Sequence, residues 1–195
     1  MKLVETSSGW VLDEIKQERR SQDSDIRYKN LAGLETDPRY KPENVLIIWV
    51  DDEEIRDVLI NEFKFNIKPV EKEVKDENGD VVGMTTRYSL KFKAYPKMRT
   101  NFRTGKEEVY PRVMLKTKKN DRLNIESFGL IDSCTLSTMA IRFHAFDNPY
   151  DASKPAIAVI DEVWAVADQS AGVVDDDYLA EKYGGYAEED ELPFE

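Results

Sequence analysis

Between Arg87 and Tyr95 the side chains alternate. Tyr88, Leu90, Phe92 and Ala94 fall on one side, and Arg87, Ser89, Lys91, Lys93 and Tyr95 on the other. A strand sorts such a sequence into one core face and one polar face, because its successive side chains point to opposite faces; a helix would mix them. Tyr110–Lys118 repeats the design, with Tyr110, Arg112, Met114, Lys116 and Lys118 together and Val113, Leu115 and Thr117 opposite. The chain from Phe65 onward must therefore build a β-structure with one apolar and one cationic face.

The remaining elements follow from local signals. Val45–Val50 is a continuous apolar, β-branched run of strand length. Asp51–Glu54 then offers a helix N-cap with acids in the first turn, where the helix dipole favours them. Ile55, Val58, Leu59 and Phe63 make one apolar stripe, so a short helix is expected over Asp52–Phe63. Asn78-Gly79 supplies the positive φ of a tight hairpin, and Asn120-Asp121 suggests a second one between Val109–Lys118 and Leu123–Leu130. Pro96–Lys106 reads as a long cationic loop carrying one aromatic, Phe102. In Ser137–Phe146 the odd positions Met139, Ile141, Phe143 and Ala145 should face the core. In Ile157–Ala167 the pair Asp161-Glu162 interrupts an apolar strand and marks a bulge or an edge. Residues 1–44 read as an N-terminal arm, with a short helix around Val11–Arg20 and turns at Asp37-Pro38 and Lys41-Pro42. About seven strands and one short helix define a mainly β domain over 45–168. An OB-like Greek-key barrel suits this pattern, with a sandwich as its rival.

The charge pattern narrows the function. The 195-residue chain carries a net charge of −11, which alone argues against nucleic acid. Its distribution reverses that. Thr85–Arg122 holds 12 lysines and arginines against three acids, a local balance of +9, whereas Asp168–Glu195 holds ten acids and one lysine. A cationic β surface interleaved with aromatics is what a single nucleic-acid strand requires, phosphates taking Lys and Arg and unstacked bases taking flat rings. The residues expected to contact DNA are Arg87, Lys91, Lys93, Tyr95, Lys97, Arg99, Phe102, Arg103, Tyr110, Arg112 and Lys116. Tyr88 and Phe92, in the apolar register, are expected in the core.

Residues 169–195 form an acidic tail too polar to bury a core, and its ending is specific. Glu188-Glu189-Asp190-Glu191-Leu192-Pro193-Phe194 resembles the acidic tip of bacterial and phage single-stranded-DNA-binding proteins, which closes with acids, an aliphatic residue, Pro and Phe. The resemblance implies that Leu192, Pro193 and Phe194 anchor in pockets of replication or recombination proteins, steered there by Asp190, Glu191 and the preceding acids. It also implies an OB-type body whose groove the tail competes for. In that family Phe is generally the last residue, whereas here Glu195 follows.

Other chemistry is thinly represented. Cys134 and His144 are the chain's single cysteine and histidine, which excludes an internal disulfide and a Cys/His zinc site and leaves nucleophilic catalysis without a set of partners. The nine glycines form no phosphate loop. Neither catalytic residues nor a cofactor are expected. A metal-dependent nuclease using Asp51 or Asp52 with Glu73 and Lys75, and an acidic DNA mimic that inhibits a host protein, are the alternatives. No run approaches the roughly 18 apolar residues of a membrane span, so a cytoplasmic protein is expected, in the bacterial host if the chain is phage-encoded. A homo-oligomer is compatible with the sequence.

Overall fold

The apolar run at Val45–Trp49 forms strand β4, and its lack of alternation has a structural reason: both of its faces are covered. Leu46, Ile48 and the following Val50 enter the main core, while Val45 and Trp49 are buried on the opposite side of the sheet. The computed structural model describes residues 1–18, 23–33, 43–76, 78–100, 105–116, 122–124, 128–147, 151 and 153–168.

Around β4 the strands in chain order are β1 (Lys2–Thr6), β2 (Gly9–Ile15), β3 (Ile26–Asn30), β5 (Lys68–Lys75), β6 (Val81–Lys93), β7 (Lys97–Thr100), β8 (Glu107–Tyr110), β9 (Arg112–Lys116), β10 (Arg122–Asn124), β11 (Leu136–Phe146) and β12 (Ile157–Ala167). One mixed sheet runs β1-β2-β11-β12-β6-β4-β3, with β5 beside β6 and the β9–β10 pair beside β12. The β12 pairings with β6 and β9 are parallel. β7 and β8 form a separate antiparallel hairpin. The protein is thus mainly β with an open strand path. Among the described residues no pairing joins its two ends, so barrel closure is not seen.

Among the described residues two helices accompany the sheet where one was expected. α1 (Glu53–Asn61) begins as the sequence indicates, with the Asp52 carboxylate accepting from Ile55 N at 3.1 Å and with Leu59 buried. α2 (Phe128–Ser133) occupies part of the stretch read as strand Leu123–Leu130. Phe128, Ile131 and Cys134 are all buried, and that three-residue spacing suits a helix rather than a strand. Asp132 accepts from Leu31 N and Ala32 N, both at 2.8 Å, and the Lys29 ammonium donates to the carbonyls of Ile131 and Cys134. These bonds satisfy carbonyl groups that a helix end leaves over, and they fasten α2 to β3.

The N-terminal segment is not an arm. It supplies β1, β2 and β3, and so both ends of the strand path. Val11, Leu12 and Ile15 mimic a helical stripe, but Glu14 takes a left-handed φ of 53° and the pairing with β11 slips between Met139 and Ile141. That irregularity lets Leu12 and Ile15, an odd number of residues apart, face the same core. Gly79, with φ 90°, turns the β5–β6 hairpin as its sequence indicates, while Asp76 Oδ1 accepts from Asn78 N and Asp80 N. β9 and β10 pair as the second expected hairpin, although its turn lies outside the described residues. So does the acidic tail.

The core is centred on an aromatic cluster. Phe143 lies 5.3 Å from Phe63, 5.8 Å from Phe65 and 5.5 Å from Phe92, centroid to centroid. With Met139 and Ile141 it occupies the odd register read from the sequence, and Ala145 packs at its edge. A smaller cluster of Val11, Met114, Ala140 and Trp164 covers part of the opposite sheet face, so Met114 is buried rather than part of a cationic groove. Removing Phe143 leaves a ring-sized hole among three other rings. Phe143→Ala should lower the unfolding free energy by about 3–5 kcal/mol, read from urea denaturation with the slope unchanged.

Candidate nucleic-acid interface

The segment read as a cationic loop is largely the β7–β8 hairpin, which stands beside the end of β6. Lys97 pairs with Tyr110 in its register, and antiparallel partners share a face. Between this hairpin and the sheet lies a cleft of about 310 Å³, lined by Tyr95, Lys97, Arg99, Tyr110, His144, Phe146, Val159 and Ile160. Its volume is at the lower end of the roughly 300–1,000 Å³ typical of ligand pockets. The lining is an apolar floor from β12, two aromatic rings that are 49% (Tyr95) and 48% (Phe146) exposed, and two cations from β7. Half-exposed aromatics next to cations are the groups that single-strand sites use to stack bases and hold phosphates.

A bulge in β12 organises the rear of the cleft. Arg142 of β11 opposes Glu162 and Phe143 opposes Ile160, leaving Asp161 as the extra residue. Core-facing positions switch from Ala158 and Ile160 to Val163, Ala165 and Ala167, which turns Asp161 and Glu162 to the same outer side. Asp161 accepts from the Tyr110 hydroxyl and from His144 Nδ1, the latter at 2.9 Å. A carboxylate oxygen accepts, so this contact is made by the ring tautomer that carries its proton on Nδ1. Glu162 pairs with Arg142, both largely buried. The Arg99 guanidinium sits 3.9 Å from the Tyr110 ring centroid. Tyr110 is therefore a tethered wall of the cleft with one face occupied, and the exposed platforms are Tyr95 and Phe146.

The expected DNA-contact residues separate into groups. Tyr95, Lys97, Arg99 and Tyr110 meet at the cleft. Lys93 is half-buried, and Lys91 is exposed and paired with Glu43. Both occupy the outer face of β6, which leads toward the cleft. Arg112 lies on β9 opposite Glu162 and is half-buried. Lys116 closes β9. Phe102, Arg103 and the tail residues Asp190, Glu191, Leu192, Pro193 and Phe194 fall outside the described residues. Arg87 departs from its expected role: it is buried, donates from Nε to Asp51 Oδ2 at 2.6 Å, and reaches the carbonyl of Ser24. A guanidinium so paired holds the sheet rather than contacting ligand. Tyr88, expected in the core, is half-buried under Arg56 of α1, at 4.1 Å, whereas Phe92 is fully buried.

The acids of the nuclease reading have other duties. Asp51 holds Arg87 and Tyr88 N, Asp52 caps α1, and Glu73 lies 3.7 Å from Lys75 on an exposed strand. Among the described residues no three His, Cys, Asp or Glu side chains gather as a metal site. Three contributors to the outer face were missed from sequence. Phe146 follows His144 in the same register, so its exposure was readable from the alternation. Arg27 and Lys72 surround the buried Trp49 together with Arg87, at 4.9, 5.3 and 4.8 Å from its ring centroid. Lys72 and Arg87 neighbour each other across the β5–β6 hairpin, but Arg27 and Trp49 come from strands far from it in sequence, and no local signal brings all four together.

No family model and no curated protein matches the sequence. Among solved structures the chain is similar to the crystal structure of gp2.5, a single-stranded DNA binding protein encoded by bacteriophage T7. Sequence identity is 11%, the TM-score is 0.29, and the match covers 90% of this chain and 99% of that one. A likeness so loose carries no argument, and function must be read from the side chains themselves.

Burial first, and then the bond to Asp161, pushes the Tyr110 phenol well above its ordinary value. The folded state thus resists a deprotonation that the unfolded chain undergoes near about pH 10. This contribution to stability is complete below that pH and is lost as pH rises toward the higher folded value. In an alkaline titration followed by phenolate absorbance, Tyr110→Phe should remove one late-titrating phenol.

Proposed function

We propose that this protein binds single-stranded DNA stoichiometrically, without catalysis, through the outer sheet face that ends in the Tyr95–Phe146 cleft. One observation carries the reading: two half-exposed aromatic rings flank an apolar floor, with Lys97 and Arg99 beside them, at the end of a strand face bearing Lys91 and Lys93. Bases stack on Tyr95 and Phe146, and Lys97 and Arg99 take the adjoining phosphates. The narrow cleft accepts one flat ring system and excludes a paired duplex. This is the exposed sheet surface that an OB-like body presents to a single strand. The tail, with nine acids after Asp168, is an internal anionic competitor for this face. Its Leu192-Pro193-Phe194 tip, preceded by Asp190 and Glu191, is a hook for replication or recombination proteins.

Fluorescence anisotropy with single- and double-stranded oligonucleotides tests the reading. Affinity for the single strand should exceed that for the duplex, fall steeply with salt, and survive chelation of divalent ions. Tyr95→Ala and Phe146→Ala should each weaken binding by about 1–3 kcal/mol, and deletion of 169–195 should tighten it. Equal affinity for both strand forms, no binding, or magnesium-dependent cleavage of the probe would each overturn the proposal.

A further inference from the structure

Midway along β6, Trp49 is only 2% exposed, and three cations converge on its ring from three strands: Arg27 from β3, Lys72 from β5 and Arg87 from β6. Among the described residues Asp51 is a carboxylate at this cluster, and it binds Arg87 Nε and Tyr88 N. Arg27 donates to the Ser89 hydroxyl at 3.3 Å. The cations feel one another: burial lowers the Lys72 pKa first, the charges of Arg87 and Arg27 lower it further, and Asp51 opposes them. The buried Nε1 of Trp49 has no hydrogen-bond partner among the described residues. Like charges held this close repel one another at some cost in stability, and an arriving anion relieves it.

The position of this cluster indicates which anion. Ser89 pairs with both Trp49 and Lys68, so the cations lie on the same outer face of β6 as Lys91 and Lys93, in line with the cleft beyond. At a rise of about 3.3 Å per residue, Arg87 and Lys93 are roughly 20 Å apart. A phosphodiester chain seated in the cleft and running back along β6 past Lys93 and Lys91 arrives at this cluster.

We infer that Arg27 and Lys72, gathered over Trp49, form a second phosphate-holding station, engaged by DNA strands long enough to reach it from the cleft. This rests on the cleft being a single-strand site. The station adds electrostatic grip and length discrimination, while Arg87 and Asp51 hold Trp49 in place beneath it.

The test uses the full chain and two oligothymidylates, one of about 3 nucleotides, just below the range of single-strand site sizes, and one of about 12, within it. The double variant Arg27→Gln/Lys72→Gln should bind the long oligomer about tenfold more weakly. Its log–log salt slope should be shallower by about 1.4, from two lost contacts at about 0.7 each. Affinity for the short oligomer should not change, and Arg27→Lys/Lys72→Arg should restore the long-oligomer slope. If the wild-type protein binds both and the double variant matches it on the long one, the station is overturned and the cleft stands. An equal loss on both lengths would mark the residues as structural, and likewise overturn it. Failure of the wild-type protein to bind either oligomer would overturn the cleft reading, and the station with it.

Discussion

The bulge at Asp161 is the constraint on which the rest of the outer face depends. β12 sits between β11 on one side and β6 and β9 on the other, so it must keep apolar side chains on the core along its whole length. A regular strand would have to place one of two adjacent acids inside. The extra residue shifts the parity, and both carboxylates emerge on the outer side, where each has a partner. The tyrosine of β8, the histidine of β11 and hence the hairpin beside the cleft are all referred to that one irregularity.

The charged contacts of the sheet differ in what they do. Arg142–Glu162 and Arg87–Asp51 are at least partly buried and hydrogen-bonded to further groups, so losing one partner would strand a charge away from water. Lys91–Glu43 and Lys75–Glu73 lie in solvent and contribute little to stability, which leaves their cations available for exchange with a polyanion. Buried pairs therefore set the geometry, and exposed cations carry the interaction. Arg87, the most conspicuous base in the alternating strand, belongs to the first kind.

Much of the architecture was legible because it follows from periodicity. The core register of β6 and β11, the cap at Asp52, the Asn78-Gly79 turn and the irregularity at Asp161-Glu162 each leave a local signature. The N-terminal strands did not, since Val11, Leu12 and Ile15 carry a helix-like spacing that becomes a strand only through pairing with β11 and a left-handed residue at Glu14. Phe128 and Ile131 were ambiguous for the same reason: short apolar runs fit either period until a partner such as Asp132 on Leu31 N decides. Within the candidate site, Tyr95, Lys97 and Arg99 were readable as an exposed cationic and aromatic stretch. Phe146 was readable in principle from its register.

By itself, the sequence determined that this chain is mainly β, that one face of β6 is apolar and the other cationic, and that opposite charges are segregated between strands and tail. Those properties depend on neighbours one or two residues apart, which side-chain alternation reports directly. Only the tertiary structure decided which cations face solvent, which aromatics form the cleft, and that Arg27, Lys72 and Arg87 meet over a single tryptophan. These outcomes depend on strands tens of residues apart coming into register. That register is set by burial across the whole sheet and by one inserted residue in β12, and no local window of sequence records it.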